Sequence, residues 1–327
     1  MESPFNNTPH NIPGNPEPFT LHIPKQEISE LQHLLKLSKI GPATWWNQHG
    51  DGRFGSGKVN IHFAALFSIK KDAIPIIFLH GYPGSFVEYL PMMDLLRDKY
   101  TPETLPYHAI NVEMTLDRAA RIMNQLMIDL GFENGYIAQG GDLGSMLARI
   151  MSVRYKECKA LHVNMLVLNP DQTPPASAPL TPAEEEHLER ANTWLQTGVS
   201  YALEHGTRPS TIGLVVSSNP LALLAWIGEK YLEWTDPRRL IPLDTILSMK
   251  FPGGQPHPIS MEKPLGYSLF PYDLALVPKG WMEGLYPNLV FFRAHETGGH
   301  FAAMEQPEAL LGDVEEFVGK VRGIICG

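Results

Sequence analysis

The sequence predicts an α/β fold: a mostly parallel central sheet with helices on both faces and an all-helical block inserted before its last strands. Three observations predict this. Short strand patterns alternate with helix patterns over residues 58–170, the alternation stops over 171–257, and a strand pattern returns at NLVFFR (288–293) before a closing helix. The expected divisions are an N-terminal arm (1–57), a first core part (58–170), a helical lid (171–257) and a second core part (258–327).

Residues 1–18 are polar and Pro-rich and read as a loose surface segment. FTLHIP then leads into QEISELQHLLKLSK, where Ile28, Leu31, Leu34, Leu35 and Leu37 approximate a helical stripe. GDGRFGSGK (50–58) reads as a flexible joint. After it, VNIHFAALF alternates as a strand, and IPIIFL is a continuous buried run ending at His80. A helix is expected near 85–98, a weak strand at YHAIN (107–111), and a strong helix over TLDRAARIMNQLMIDLG, stopped by Gly131. GYIAQ (135–139) is a strand, Leu143 opens a helix, and ALHVNML reads as a strand. In the lid, Thr181-Pro-Ala-Glu184 combines a capping box with Pro at the first helical position, and LALLAWIGEKYLEW is a second helix. EQPEALLGDVEEFVGKVRG closes the chain as a helix.

Composition narrows the function. With 43% hydrophobic and 19% charged residues over 327, the chain reads as an ordinary soluble globular protein. A net charge of −9 offers no basic surface to nucleic acid or anionic lipid. The two cysteines, Cys158 and Cys326, suggest neither a disulfide framework nor zinc spacing, so no metal or cofactor is expected. The polar start MESPFNNTPHNIPGNPEPF does not resemble a secretory signal, and no apolar run is long enough to span a bilayer. A cytoplasmic protein is the expectation.

The chemistry concentrates in four places. In GYIAQGGDLGS, Asp142 stands between a buried strand and a helix, flanked by Gly140, Gly141 and Gly144. This is a nucleophile elbow with Asp in the place usually held by Ser, and it sets the Leu143 amide at a helix N-terminus, where it can donate to an oxyanion. A carboxylate merely capping the helix is the plainer alternative. His300, in ETGGHFAAMEQP, follows the last strand as a general base would, with His295 a nearby competitor. Asp273, in LFPYDLALVP, precedes it, so nucleophile, acid and histidine fall in the order of α/β-hydrolases. In FLHGYPGS (78–85), the turn lets the Tyr82 amide point inward as a second oxyanion donor.

On these residues the chain resembles the epoxide hydrolases of the microsomal type, most closely their soluble fungal members. HGYPGS, GGDLGS and GGHFAAMEQP match that family's motifs almost residue for residue, and PFTLHIP resembles the start of its N-terminal arm. The resemblance covers most of the chain. It implies an α/β-hydrolase fold with Asp142 as nucleophile, His300 as base, Asp273 as its acid partner, and Tyr82 and Leu143 as main-chain oxyanion donors. VSYALEHGTRPSTIG in the lid also matches, which implies that Tyr201 is one of two tyrosines gripping the epoxide oxygen. Without the resemblance, Tyr201 reads as a half-buried helix residue. The implied partners are a small-molecule epoxide and water, with a homodimer permitted, and the implied role is detoxification or secondary metabolism.

An aspartate suits such a reaction. A serine attacking the sp³ carbon would leave an ether, whereas Asp142 leaves an ester that a water activated by His300 can cleave. Three blocks of the family are nevertheless missing: the rest of the arm after DGRFG, the strand continuation and Pro-Gly-Tyr loop after YHAI, and the second half of the lid after ILSMK, with its tyrosine. Tyr231 and Tyr267 remain nearby but match no tyrosine motif, and a clipped central strand is expected. Two other readings stand beside hydrolysis. One is a relative that has lost turnover. The other is a haloalkane dehalogenase, against which Leu143 and Tyr82 stand where halide-gripping donors, commonly tryptophan, would be needed. A serine-type esterase is excluded at the elbow.

Overall fold

A computed structural model describes residues 23–37, 61, 63–112, 119–168, 179–239, 241, 260 and 262–325. Seven strands form one sheet: β1 (Phe63–Leu66), β2 (Ile74–Leu79), β3 (Tyr107–Val112), β4 (Tyr136–Gly140), β5 (Cys158–Val163), β6 (Leu265–Leu269) and β7 (Leu289–Ala294). Their spatial order is β1-β3-β2-β4-β5-β6-β7. β1 runs antiparallel to β3, and every other pairing is parallel. The α/β-hydrolase architecture is therefore present.

Strand alternation explains why the sheet is buried on both faces. Along β2, Ile77 and Leu79 enter one apolar cluster with Met127, Leu147 and Tyr267, while Ile74, Ile76 and Phe78 enter the opposite one with Met92, Leu310 and Phe317. Helices α2 (Leu90–Lys99), α3 (Ala119–Asp129) and α4 (Asp142–Arg154) follow β2, β3 and β4. A single 3₁₀ turn, Phe86–Tyr89, precedes α2. Gly131 has φ +86°, the left-handed conformation that ends α3 where the sequence predicts.

Two expectations are corrected. The strand at 107–111 is not clipped: β3 runs to Val112 and pairs along its whole length with β2 while β1 lies on its other side. Its ladders to both neighbours are therefore intact as far as Val112; Glu113–Arg118 lie outside the described residues. The strand β6 was not expected at all. LGYSL has Gly266 near its start and no clean alternation, and it is buried throughout. A Cβ on Gly266 would come within 2.7 Å of both His162 and Phe317, so the sheet needs glycine where sequence patterning reads a break.

The first helix α1 (Lys25–Leu37) occupies the arm, and the lid carries α5 (Pro182–Thr197), α6 (Ser200–Thr207), α7 (Pro209–Ser218) and α8 (Pro220–Glu233). The Thr181–Glu184 capping box forms: the Thr181 hydroxyl accepts from Glu184 N, and the Glu184 carboxylate accepts from Thr181 N at 2.9 Å. The chain then returns to the sheet, with α9 (Lys279–Leu285), α10 (Ala302–Glu305) and α11 (Pro307–Ile325) after it. No single helix among the described residues is long and apolar enough to cross a membrane. The loose start, the joint at 50–58 and the end of the lid lie outside the described residues.

Candidate active site

The site forms where β2 and β4 lie side by side, at their carboxyl ends, the place where open α/β sheets leave a crevice. β4 ends at Gly140, Gly141 caps the helix, and Asp142 is its first residue, with φ +44°. A non-glycine residue rarely adopts that conformation, and here the packing imposes it. A Cβ on Gly144 would lie 1.8 Å from the Leu79 carbonyl oxygen, so α4 is pressed directly against β2. The tight bend throws the Asp142 side chain over the sheet.

The turn after β2 meets it there. A Cβ on Gly81 would lie 2.3 Å from Cβ of Asp142, and this close approach lets the Tyr82 N–H donate a short hydrogen bond to Asp142 Oδ2. Leu143 is buried, and its amide belongs to the first turn of α4, where no intrahelical acceptor exists.

His300 comes from the loop after β7 and Asp273 from the loop after β6. His300 Nδ1 lies 2.7 Å from Asp273 Oδ1, which also accepts from Leu274 N at 2.7 Å. On the other side of the ring, Nε2 lies 3.8 Å from Asp142 Oδ2. The competitor His295 is elsewhere: its Nε2 lies 2.7 Å from Asp313 Oδ2 and its ring stacks on Phe270. Burial alone would push the His300 imidazole down, but the charge of Asp273 and the hydrogen bonds to Asp142 and Asp273 outweigh it and hold the pKa well up. Burial raises Asp273, opposed by the His300 charge.

Tyr201 enters from α6. Its ring stacks on Tyr82 at 4.8 Å and 9°, with the Trp234 ring 5.2 Å away. Burial, and then the charge of Asp142, push its phenol above the ordinary value, so it stays protonated. The six residues expected from the sequence thus come from five separate segments of the chain to one end of the sheet.

Other residues complete the surroundings without having been expected. Trp234 presents its ring edge-on to His300 at 5.2 Å. Glu88, on the 3₁₀ turn beyond Tyr82, is buried, and that burial, opposed by the His300 charge, pushes its carboxyl up to about 8. Glu305 is raised to about 7, again chiefly by burial. Glu305 stood inside the quoted ETGGHFAAMEQP, where an acid in an otherwise apolar, glycine-rich segment was the available signal; Glu88 lies three residues beyond FLHGYPGS. Tyr231 stacks on Phe301 at 4.2 Å, and its buried hydroxyl has no hydrogen-bond partner among the described residues. Tyr267, by contrast, lies in the core cluster with its hydroxyl bonded to Val277 N. Among the described residues no cluster of His, Cys, Asp and Glu could hold a metal ion.

Comparison with known proteins gives a consistent picture. The family model described as "Epoxide hydrolase N terminus" matches residues 52–89. A putative epoxide hydrolase of Dothistroma septosporum is 37% identical, covering 96% of this chain and 92% of the relative. That alignment spans 393 positions, more than the 327 residues here, so it opens gaps in this chain, as the missing blocks require. The structure of Aspergillus niger epoxide hydrolase superposes with a TM-score of 0.83 at 39% identity, covering 97% of this chain and 99% of that one. The juvenile hormone epoxide hydrolase of Bombyx mori, at 22% identity and a TM-score of 0.74, shares the fold.

Proposed function

This chain belongs to the epoxide hydrolase family, and from that premise we propose that it converts an epoxide and water to a vicinal diol through an ester on Asp142. The observation that carries this reading is the carboxylate itself: raised on a left-handed bend, tethered by one oxygen to the Tyr82 amide, and faced by a histidine whose far nitrogen is held by Asp273.

The first step is attack on an epoxide carbon. With Oδ2 bound by Tyr82 N–H, Oδ1 is the oxygen free to attack. Ring opening creates an alkoxide, and the protonated Tyr201 phenol is suited to give it a proton or a hydrogen bond. Tyr231 is the described lid residue suited to the place of the absent second tyrosine, because it packs in one apolar cluster with Tyr82, Leu143 and Tyr201 and its hydroxyl lacks a partner among the described residues.

The second step uses His300. Forming the ester neutralises Asp142, which removes one of the charges that hold the imidazole protonated. With that charge gone the ring gives up its proton more readily and stands in the neutral form that a base requires. It takes a proton from water attacking Cγ of Asp142, Asp273 stabilises the imidazolium, and the amides of Tyr82 and Leu143 receive the oxyanion on Oδ2. Breaking the Cγ–Oδ1 bond releases the diol.

Mass spectrometry of the wild type and of His300→Gln after mixing with styrene oxide tests this. The variant should accumulate the substrate mass on the peptide containing Asp142. An unmodified peptide in the variant, with wild-type diol formation intact, would remove the covalent route.

A further inference from the structure

The lid segment directly after α8 is hydrogen-bonded into the loop that carries the base. Past α8, Trp234-Thr235-Asp236 lies against Gly298–Phe301. The His300 N–H donates to the Trp234 carbonyl at 2.9 Å, and the Gly298 N–H donates to Asp236 Oδ2 at 2.9 Å. Glu305 joins the two strands of this arrangement from below: Oε2 accepts from Asp236 N at 2.8 Å and Oε1 from Phe301 N at 3.0 Å. Arg238 closes the outer side with a two-pronged pair on Asp236, both bonds at 2.8 Å.

No slack remains in this clasp. A Cβ on Gly299 would lie 2.7 Å from the Trp234 carbonyl oxygen and 2.8 Å from Asp236 N. Asp236 and Glu305 are both buried. Buried carboxylates are costly unless hydrogen-bonded, and here main-chain N–H groups of both segments supply the bonds. In the loop of the base, the amides the carboxylates hold, together with the one held by Trp234, belong to residues 298, 300 and 301, which bracket the imidazole.

From this geometry we infer that Glu305 and Asp236 are positioning residues that fix His300 relative to the lid for the hydrolytic half of the reaction. The inference rests on the covalent reading above. Ester formation needs Asp142 on α4 and Tyr201 on α6; the Asp236 and Glu305 carboxylates bond to neither, and the clasp meets Tyr201 only through the Trp234 ring at 5.2 Å. Ester cleavage needs the imidazole within reach of water and Cγ, and a misplacement of about 1 Å there costs on the order of 100-fold.

The test is single-turnover and steady-state kinetics with styrene oxide on the wild type and Glu305→Gln. The amide keeps the shape of the side chain but turns one acceptor into a donor facing a main-chain N–H. The expected result is ester cleavage slowed about 10- to 100-fold with ester formation little changed. Then kcat and KM fall together, kcat/KM holds, and the ester-bearing Asp142 peptide dominates at steady state. A fall in kcat/KM matching that in kcat, or an unchanged cleavage rate, overturns the inference. If Glu305→Gln does not fold, Asp236→Asn, which disturbs chiefly the Gly298 and Arg238 contacts, must show the same split. A wild type that forms diol without any ester would instead sink the covalent reading, while a wild-type ester with no change in the variants sinks the clasp alone.

Discussion

The two halves of the site are built in opposite ways. On the sheet side, each group has its place set by a hydrogen bond or by backbone packed against backbone: Asp142 by Tyr82, His300 by Asp273 and Trp234, Gly144 by Leu79. On the lid side, α6 has no buried residue, and Leu203, Leu214 and Leu232 stand more than half exposed. Tyr201 is held there by ring stacking, with Lys230 5.1 Å over its ring, and no side-chain cap locks α6. On the proposed mechanism, the attacking and hydrolysing groups stand on the tightly packed half, while the half that would meet the epoxide from the lid is held by stacked rings. A site on packed strands and helix ends can hold the sub-ångström geometry that attack on carbon demands; stacked aromatics tolerate many shapes.

That contrast can be broken by experiment. The largest effect is expected from Gly144→Ala, where the added carbon meets a main-chain oxygen at 1.8 Å. The loss of stability should exceed the roughly 1–3 kcal/mol of ordinary overpacking, with activity lost alongside, as read by denaturant melts and diol assay. Tyr201→Phe should leave the fold intact and lower kcat/KM on the order of 100-fold, about 3 kcal/mol for one donor to developing charge. An unaffected rate would mean that the lid does not touch the chemistry.

A third effect is a dependence on pH from the sheet side. Glu88, pushed up from 4.5 to about 8, keeps in the folded chain a proton that the unfolded chain releases. Its contribution is therefore fully present below pH 4.5 and is lost as pH rises toward 8, with a slope of up to about 1.4 kcal/mol per unit. Glu88→Gln should flatten the pH profile of stability over that window; an unchanged slope would relieve Glu88 of the role. The smallest effect lies in the lid. A Cβ on Gly213 in α7 meets nothing within 4 Å. Gly213→Ala should therefore stabilise the protein by about 0.5–1 kcal/mol through helix propensity, with activity unchanged.

The same division governs what could be read from the sequence. Asp142, Tyr82 and His300 were legible because close backbone approach forces glycine at 81, 140, 144 and 299, and glycine at fixed offsets is visible in one sequence. Local spacing did not separate His300 from His295, since both share one loop; the GGHFAAMEQP resemblance did, and in the structure Asp273 and Asp313 take them to different partners. β6 was missed because Gly266 answers to His162 and Phe317, partners far away in the chain. The clasp was invisible for the same reason: nothing local marks Asp236 and Glu305, 69 positions apart, as neighbours. In the lid, exposed leucines on short helices carry no spacing that names a substrate.

The tether between the Tyr82 amide and Oδ2 has a consequence for atoms as well as for rates. If the carboxylate never rotates, that oxygen is permanent, while its twin departs in every diol and is rebuilt from solvent. After many turnovers in ¹⁸O-water the aspartate should then carry a single heavy atom. A doubly labelled residue would reveal that the side chain spins between cycles, and that the grip of the amide is released each time the product leaves.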